Sequence, residues 1–174
     1  MDAKVKTPVL EGWFTLDEQT PHLIGTRCTV CGTYYFPKQK NFCRNPDCSS
    51  ESFEEVQLSR TGKLWSFTNA AYQPPEPFAQ SEPFEPFAIA AVELQKEKMI
   101  VLGPVVRGVG VQSLRAGLEM ELVLEPLADG KLTWKWRPAG ALSRDPSPAS
   151  GRREQISPRP FTGEGGPKGR ERGA

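Results

Sequence analysis

The stretch RCTVCGTYYFPKQKNFCRNPDCS, residues 27–49, contains all four cysteines of the 174-residue chain. They form two pairs, Cys28 with Cys31 and Cys43 with Cys48, and eleven residues separate the pairs. Gly32 follows the first pair, where a tight turn favours a residue that tolerates a positive φ, and an Asn-Pro turn lies inside the second pair. Two such turns brought together would place four sulfurs around one metal ion, a ligand set that suits zinc.

Disulfides and unrelated core cysteines are the alternatives to a metal site. Nothing in the sequence indicates secretion, which disfavours disulfides, and scattered core cysteines would not fall into two close pairs. The second pair encloses four residues instead of the commoner two, which is still within the usual range. Iron remains an alternative to zinc. Four protein ligands leave no open position for water or substrate, so the predicted site is structural.

Composition favours a loop-rich β protein, because hydrophobic content is only 37% and the chain has 17 prolines and 16 glycines. The net charge of +1 is the sum of two regions of opposite charge. Residues 144–174 carry seven basic and four acidic side chains, whereas residues 1–143 carry fifteen and seventeen. The start of the chain lacks a signal-peptide pattern, and its longest apolar run, residues 87–92, is too short to cross a membrane. These features predict a cytoplasmic protein.

Apolar spacing predicts the elements on either side of the cysteines. Within a helical arm over residues 1–21, Trp13 and Phe14 form a partial apolar stripe that would pack on this chain or on a partner. A zinc ribbon follows over residues 22–52, in which the strand TYYF, residues 33–36, supplies an apolar cover for the metal.

Short strands with glycine breaks predict a barrel over residues 53–139. Residues 53–58 alternate only weakly, and five clearer strands are expected over 62–72, 87–94, 99–106, 119–127 and 131–137. Alternation in the strand over 62–72 puts Trp65 and Phe67 on one face, and the pair Asp129-Gly130 marks a hairpin. The predicted class is mostly β, with an N-terminal helix, a rubredoxin-like ribbon and a five-stranded OB-fold barrel.

The loop over residues 73–87, between the expected strands 62–72 and 87–94, repeats Glu-Pro-Phe three times, ending at Phe78, Phe84 and Phe87. We call it the phenylalanine-rich loop. These rings either cap the barrel mouth or form a partner surface or an apolar ligand channel; the sequence leaves both open. Residues 140–174 are rich in Pro, Gly, Ser and Arg, which predicts a disordered tail. That tail is either a dispensable extension or a basic nucleic-acid arm.

No catalytic site is predicted, because the chain has a single histidine, His22, and no GxSxG, phosphate-loop or GxGxxG motif. His22 lies beside the first cysteine pair, where a surface or supporting role fits it better than catalysis.

The order of these pieces resembles the zinc-ribbon/OB-fold family of acyl-CoA-associated proteins. The resemblance covers about residues 8–138. It rests on CTVCG (28–32), Pro37, the second cysteine pair with Ser49, SRTGKLWSFT (59–68), EPFAIAAVEL (85–94), GPVV (103–106) and the Leu114/Gly117 turn. Members of that family usually have two residues inside the second cysteine pair, so CRNPDC departs from the pattern in its turn geometry.

This resemblance implies a non-catalytic partner of a thiolase or thiolase-fold aldolase that acts on CoA thioesters. It implies one structural Zn²⁺ per chain, coenzyme A as a substrate shared with the complex, and degradative settings that include aromatic and sterol side-chain acyl-CoA. The expected apolar contacts to the partner or the acyl channel are Trp13, Phe14, Phe78, Phe84 and Phe87. The expected contacts to CoA phosphates are Lys38, Lys40, Arg44, Arg60 and Lys63.

Two other functions compete with this prediction. Zinc ribbons and OB-folds both bind nucleic acid elsewhere, but the predicted folded part is acidic and its aromatic loop carries glutamates, so nucleic acid is disfavoured as a partner. An electron carrier with iron in the four-thiolate site is the third hypothesis.

Overall fold

The computed structural model describes residues 7–78 and 83–140 of the chain. Within these ranges the chain is mostly β, as predicted. The strands are β1 (Ile24–Cys28), β2 (Tyr34–Tyr35), β3 (Phe53–Gln57), β4 (Thr61–Ala70), β5 (Phe87–Leu94), β6 (Met99–Pro104), β7 (Glu119–Pro126) and β8 (Leu132–Pro138). A single-turn 3-10 helix, Val111–Ser113, lies between β6 and β7.

A three-stranded antiparallel sheet in the order β2–β1–β3 carries the cysteine-rich segment. β1 pairs with β3 along its whole length, from Ile24 opposite Gln57 to Cys28 opposite Phe53. The predicted boundary at residue 53 would assign β3 to the barrel. Its pairing with β1 places it in this ribbon sheet instead, so the change of sheet falls between β3 and β4.

The remaining five strands form an antiparallel sheet in the order β6–β5–β4–β7–β8. Its two outer strands approach each other just beyond β6, where Val105 forms a parallel bridge with Trp136. The Val106 N–H donates to the Trp136 carbonyl at 3.0 Å. A five-stranded sheet that closes on itself in this order is the OB-type barrel that the strand pattern predicts.

Alternating side chains of the barrel strands fill its interior. On β5 and β7 the inward positions are fully buried and apolar, as in Val92, Leu94 and Leu122. Gly103 on β6 faces the indoles of Trp134 and Trp136, and a Cβ at this position would lie 2.9 Å from the Nε1 atom of each ring. The absence of a side chain at Gly103 therefore makes room for two tryptophans in a narrow barrel.

A bulge in β4 changes which side chains face the solvent. The register of β4 against β5 shifts between Leu64 and Ser66. Leu64 is buried, Trp65 is 62% exposed and Phe67 is half-buried. A regular alternation would place Trp65 and Phe67 on one face; with Trp65 as the extra residue of the bulge, Trp65 stays exposed and Phe67 packs against the core.

The predicted N-terminal helix is wrong. Its backbone groups bond to strands: the Val9 N–H donates to the Leu132 carbonyl at 2.8 Å, and the Trp13 carbonyl accepts from Ile24 at 2.8 Å. Gly12 has a φ of +72°, which a right-handed helix does not allow. The segment is an extended arm along β8 and β1, because these partners satisfy the backbone groups that a helix would have paired internally.

Two further predictions concern the ends of the chain and the membrane. The tail predicted from residue 140 lies outside the described residues, apart from Gly140 itself. Residues 79–82 of the phenylalanine-rich loop also lie outside the described ranges. Among the residues that the structure describes, no helix is long and apolar enough to span a membrane.

Candidate metal centre and surrounding surfaces

Four sulfur atoms converge at one end of the ribbon sheet. The Sγ atoms of Cys28, Cys31, Cys43 and Cys48 all lie within 4.8 Å of one another. The Cys28–Cys48 and Cys31–Cys43 sulfur distances are 3.9 Å and 3.5 Å, and all four thiols are free. Cys28 and Cys43 are buried, Cys48 is half-buried and Cys31 is exposed. The cluster is therefore partly accessible to solvent, on the side of Cys31.

Both cysteine pairs lie on tight turns, as their spacing predicts. In the first, the Gly32 N–H donates to the Cys28 carbonyl at 3.0 Å, and Gly32 has a φ of +74°. In the second, the Cys48 N–H donates to the Asn45 carbonyl at 3.0 Å. The Asn45 side chain accepts from the following turn at Asp47 N–H, 3.2 Å away. Each turn thus closes on its own cysteine pair through a local backbone hydrogen bond.

The thiols differ in acidity because their surroundings differ. The Thr33 hydroxyl, followed by the Thr33 N–H, lowers the pKa of Cys31 to about 6. The Ser50 N–H lowers the pKa of Cys48, but burial and the three neighbouring sulfurs outweigh it and raise the value to about 11. Four thiols this close cannot all ionise without a cation among them. A divalent metal would replace their protons, so this donor set fits zinc.

Two hydroxyl groups contact the sulfurs, and the sequence prediction missed both. The Thr33 Oγ1 atom lies 3.1 Å from the Cys31 sulfur, and the Tyr35 phenol lies 3.1 Å from the Cys43 sulfur. The prediction assigns the TYYF strand to apolar cover, but Tyr35 brings a polar group to the cluster. Strand alternation puts Tyr35 on the opposite face from Tyr34 and Phe36. That alternation is the sequence signal that could have distinguished Tyr35 from the apolar cover.

Trp13 and Phe14, predicted as partner contacts, lie in an aromatic cluster within the chain. The Trp13 ring stacks on Trp134 with centroids 5.9 Å apart and meets Phe36 edge-on at 5.5 Å. Phe14 is buried and lies 5.8 Å from Trp134. These contacts join the N-terminal arm, the ribbon and β8, so internal packing accounts for both residues without a partner.

The phenylalanine-rich loop borders an apolar cavity of about 320 Å³. Phe78 and Phe87 line it, and Phe84 meets the Phe87 ring edge-on at 6.2 Å. The opposite wall comes from β6 and β8, and the lining is almost wholly apolar. Lys135 also borders the cavity, but its Nζ atom is paired with Glu125 at 2.8 Å. The loop rings therefore form one side of a neutral, carbon-lined opening.

The outward face of β4–β5–β6 is unusually apolar for a surface. Leu102 is 67% exposed on β6, Ile100 is exposed two residues away, and Trp65 projects from the β4 bulge. Ser66, Ala91 and Leu102 lie side by side across the three strands. Leu102 also lines the cavity, so the exposed face and the opening are continuous. The sequence prediction did not single out these residues, because the run at residues 99–106 reads as a buried strand and the bulge that separates Trp65 from Phe67 has no clear signature.

The five predicted phosphate contacts do not share one environment. Lys38 pairs with Glu55 at 2.8 Å. Arg60 donates to the Gln19 carbonyl at 2.7 Å and lies 3.9 Å from a carboxylate on β7. The remaining three, Lys40, Arg44 and Lys63, are exposed, and no ion pair is seen for them within residues 7–78 and 83–140.

His22 has a structural role. Its Nδ1 atom donates to the Leu58 carbonyl at 2.9 Å, where the ribbon passes into the barrel. Its backbone N–H donates to the Thr15 hydroxyl at 2.9 Å. His22 thus ties the ribbon to the arm through its backbone N–H and to the segment that leads into β4 through its imidazole.

Two family domains match the chain in the order of its two sheets. The rubredoxin-like zinc ribbon domain of ChsH2 matches residues 18–54, and the C-terminal OB-fold domain of ChsH2 matches residues 55–125. A DUF35 domain-containing scaffold protein of Methanocaldococcus jannaschii is 31% identical over 134 residues, which is 74% of this chain and 88% of that protein. The chain belongs to the ChsH2 (DUF35) family.

Other members of the ChsH2 family carry names that mention enzymes. The benzoylsuccinyl-CoA thiolase subunit BbsA of Geobacter metallireducens is 34% identical over 111 residues, covering 64% of this chain and 67% of the relative. A solved Ltp2-ChsH2(DUF35) aldolase superposes with a TM-score of 0.52 and 27% identity, over 68% of this chain and 85% of that chain. The ribbon and barrel of this ChsH2-family chain therefore recur in proteins named for thiolase and aldolase assemblies.

Proposed function

We propose that this chain is a zinc-binding, non-catalytic accessory subunit of a thiolase-type enzyme complex that acts on acyl-CoA thioesters. The single observation that carries the proposal is the combination of a closed four-cysteine centre with relatives named as a thiolase subunit and as part of an aldolase. Such a centre has no open ligand position, and the one histidine of the chain is bonded to a backbone carbonyl. The chemistry then belongs to a partner subunit.

The metal part of the proposal assigns Cys28, Cys31, Cys43 and Cys48 as ligands of one Zn²⁺. Zinc would supply a cross-link between the two turns and would neutralise part of the charge of four thiolates. Because the ribbon sheet is small, this cross-link contributes directly to its folding free energy. The barrel does not depend on this metal, since it has its own buried apolar core.

The docking part of the proposal assigns the outward face of β4–β5–β6 to the catalytic subunit. Trp65, Ile100 and Leu102 are exposed on it, and large apolar side chains of this kind are the usual anchors of protein interfaces. The adjoining cavity, with Phe78 and Phe87, would receive an apolar side chain of the partner or the acyl group of its substrate.

The substrate part of the proposal is coenzyme A bound between the two subunits. Lys40, Arg44 and Lys63 are the cations best suited to its phosphates, since Lys38 and Arg60 already have partners. A neutral, carbon-lined cavity favours an acyl group with an apolar body, and aromatic acyl-CoA in a degradative, cytoplasmic pathway is our candidate.

Co-expression with a thiolase-like subunit encoded beside this chain tests the proposal. We expect the two chains to co-elute in size-exclusion chromatography, and thiolysis of an aromatic acyl-CoA to require both. Omitting this chain should abolish activity, and adding it back purified should restore activity. Separate elution at micromolar concentration, with full activity in the enzyme alone, would refute the accessory role.

The nucleic-acid alternative needs its own test. A salt-dependent mobility shift of single-stranded DNA by a chain ending at residue 140 would favour it. We expect no such shift, because residues 1–143 carry seventeen acidic and fifteen basic side chains.

A further inference from the structure

Tyr35 joins the two halves of the cysteine cluster. It lies on β2, directly after the first cysteine turn, and its phenol oxygen lies 3.1 Å from the sulfur of Cys43 in the second turn. The same oxygen lies 3.0 Å from the N–H of Arg44. The ring packs edge-on against Phe53 of β3, with centroids 6.0 Å apart. A side chain held at both its ring and its oxygen has little freedom to leave the sulfur.

The two contacts of the phenol oxygen set the direction of each hydrogen bond. A backbone N–H can only donate, so Arg44 N–H gives its proton to the phenol oxygen. The phenol proton is then free to point at the Cys43 sulfur, which as a metal-bound thiolate can only accept. The chain Arg44 N–H to Tyr35 O–H to Cys43 Sγ is therefore consistent in direction at every step.

We propose that Tyr35 is a positioning residue for the metal centre: its phenol donates to the Cys43 thiolate and slows release of the bound metal. The inference rests on the metal site proposed above and adds a residue outside the four cysteines. Groups that hydrogen-bond to metal ligands orient them, and their loss commonly lowers metal affinity 10- to 100-fold. The bond also links the second turn to β2, so that Cys43 cannot swing away without breaking it.

The neighbouring Tyr34 offers a matched control. It is also a half-buried tyrosine of β2, but its ring lies under the Arg27 guanidinium at 5.6 Å. Strand alternation directs it to the opposite face from Tyr35. Tyr34→Phe and Tyr35→Phe therefore remove the same atom from the same strand, and only the second change removes a donor from a sulfur.

The test measures metal release from the full chain. Zinc-loaded wild type, Tyr35→Phe and Tyr34→Phe are mixed with a chromogenic chelator, and the rate of zinc transfer is followed. We expect Tyr35→Phe to lose zinc about tenfold faster than wild type and Tyr34→Phe to match wild type. With Co²⁺ in place of zinc, the thiolate-to-cobalt absorption should shift in Tyr35→Phe alone.

Each outcome decides the proposal. Equal release rates and equal cobalt spectra for the three proteins would overturn it. If Tyr35→Phe binds no metal while its barrel signals in an amide NMR spectrum are retained, the proposal is supported in its strongest form. If wild type itself takes up no metal, the metal-site proposal fails first, which elemental analysis of the wild-type protein shows before any variant is compared.

Discussion

Cys43 links the second cysteine turn to the rest of the metal centre. It is buried, its sulfur lies 3.5 Å from that of Cys31, and its backbone N–H donates to the Ser50 carbonyl at 2.8 Å. Cys43→Ala would leave three thiolates, too few to fill a tetrahedral zinc site. We expect zinc to fall well below one per chain in elemental analysis, and the ribbon sheet to unfold while the barrel strands stay paired.

A suitable control for Cys43→Ala is Thr29→Ala, an exposed position inside the first turn. Thr29→Ala should retain full zinc. The accessory-subunit proposal further expects Cys43→Ala to weaken the complex with the catalytic subunit. A Cys43→Ala chain that forms a fully active complex would contradict the structural role of the site.

Gly103 lies where the barrel has no room for an added side-chain atom. A Cβ here would meet the Nε1 atoms of Trp134 and Trp136 at 2.9 Å, closer than side chains normally approach. We expect Gly103→Ala to lower the free energy of unfolding by about 1–3 kcal/mol, the usual cost of overpacking. Urea denaturation of the zinc-loaded chain measures it.

The comparison for Gly103→Ala is Leu102→Ala, the adjacent position on β6, which is 67% exposed. Because Leu102 faces outward, its truncation should change the free energy of unfolding by no more than about 0.5 kcal/mol. Equal effects of the two changes would mean that β6 tolerates a methyl group at Gly103.

The N-terminal arm depends on aromatic packing for its position. Trp13 is half-buried between Trp134 and Phe36. We expect Trp13→Ala to lower the free energy of unfolding by about 2 kcal/mol, less than for a fully buried tryptophan. It should also expose the arm to limited proteolysis. Leu16→Ala, an exposed position of the same arm, should do neither, and equal sensitivity of the two variants would argue against the packing role.

Elements governed by local rules could be predicted from the sequence. The turn at Gly32 follows from the spacing of Cys28 and Cys31, and the hairpin at Gly130, where φ is +82°, follows from its Asp-Gly pair. Strand alternation predicts most strands to within two residues. These predictions hold because a turn or a strand is specified by neighbours in the chain.

Features governed by distant contacts could not be predicted in this way. The spacing of Trp13 and Phe14 suits a helix, but their ring partner Trp134 and the backbone partners of the arm lie on other strands. The placement of Trp65 and Phe67 on different faces depends on a bulge against β5. Tertiary packing overrides local preference at both places, and a single sequence does not show which distant residues will meet.

For the whole molecule, the docking proposal predicts that a charge on the barrel face weakens binding to the catalytic subunit. Leu102→Asp puts a charge on the outward face of β4–β5–β6 without touching the cysteines. We expect at least about tenfold weaker binding to the catalytic subunit, since truncation of a central apolar anchor costs on the order of 2 kcal/mol. Isothermal titration calorimetry measures the affinity, and zinc content should stay unchanged.

Val30→Asp is the matched substitution on the ribbon, at a side chain that is 73% exposed. If the barrel face is the interface, Val30→Asp binds the partner like wild type. If Val30→Asp abolishes binding and Leu102→Asp does not, the ribbon tip is the docking surface and the assignment of the barrel face is wrong.

The backbone hydrogen bond between Val9 and Leu132 has a consequence for how the chain folds while it is being synthesised. During synthesis the ribbon sheet is complete once Gln57 has left the ribosome, so metal can load early. The arm can meet β1 and Phe36 of the ribbon early, but Trp134, which packs on both Trp13 and Phe14, arrives only with β8, the last strand of the barrel. A nascent chain stalled before β8 would therefore hold its zinc while the Trp13 and Phe14 rings, without Trp134, are partly open to chaperones.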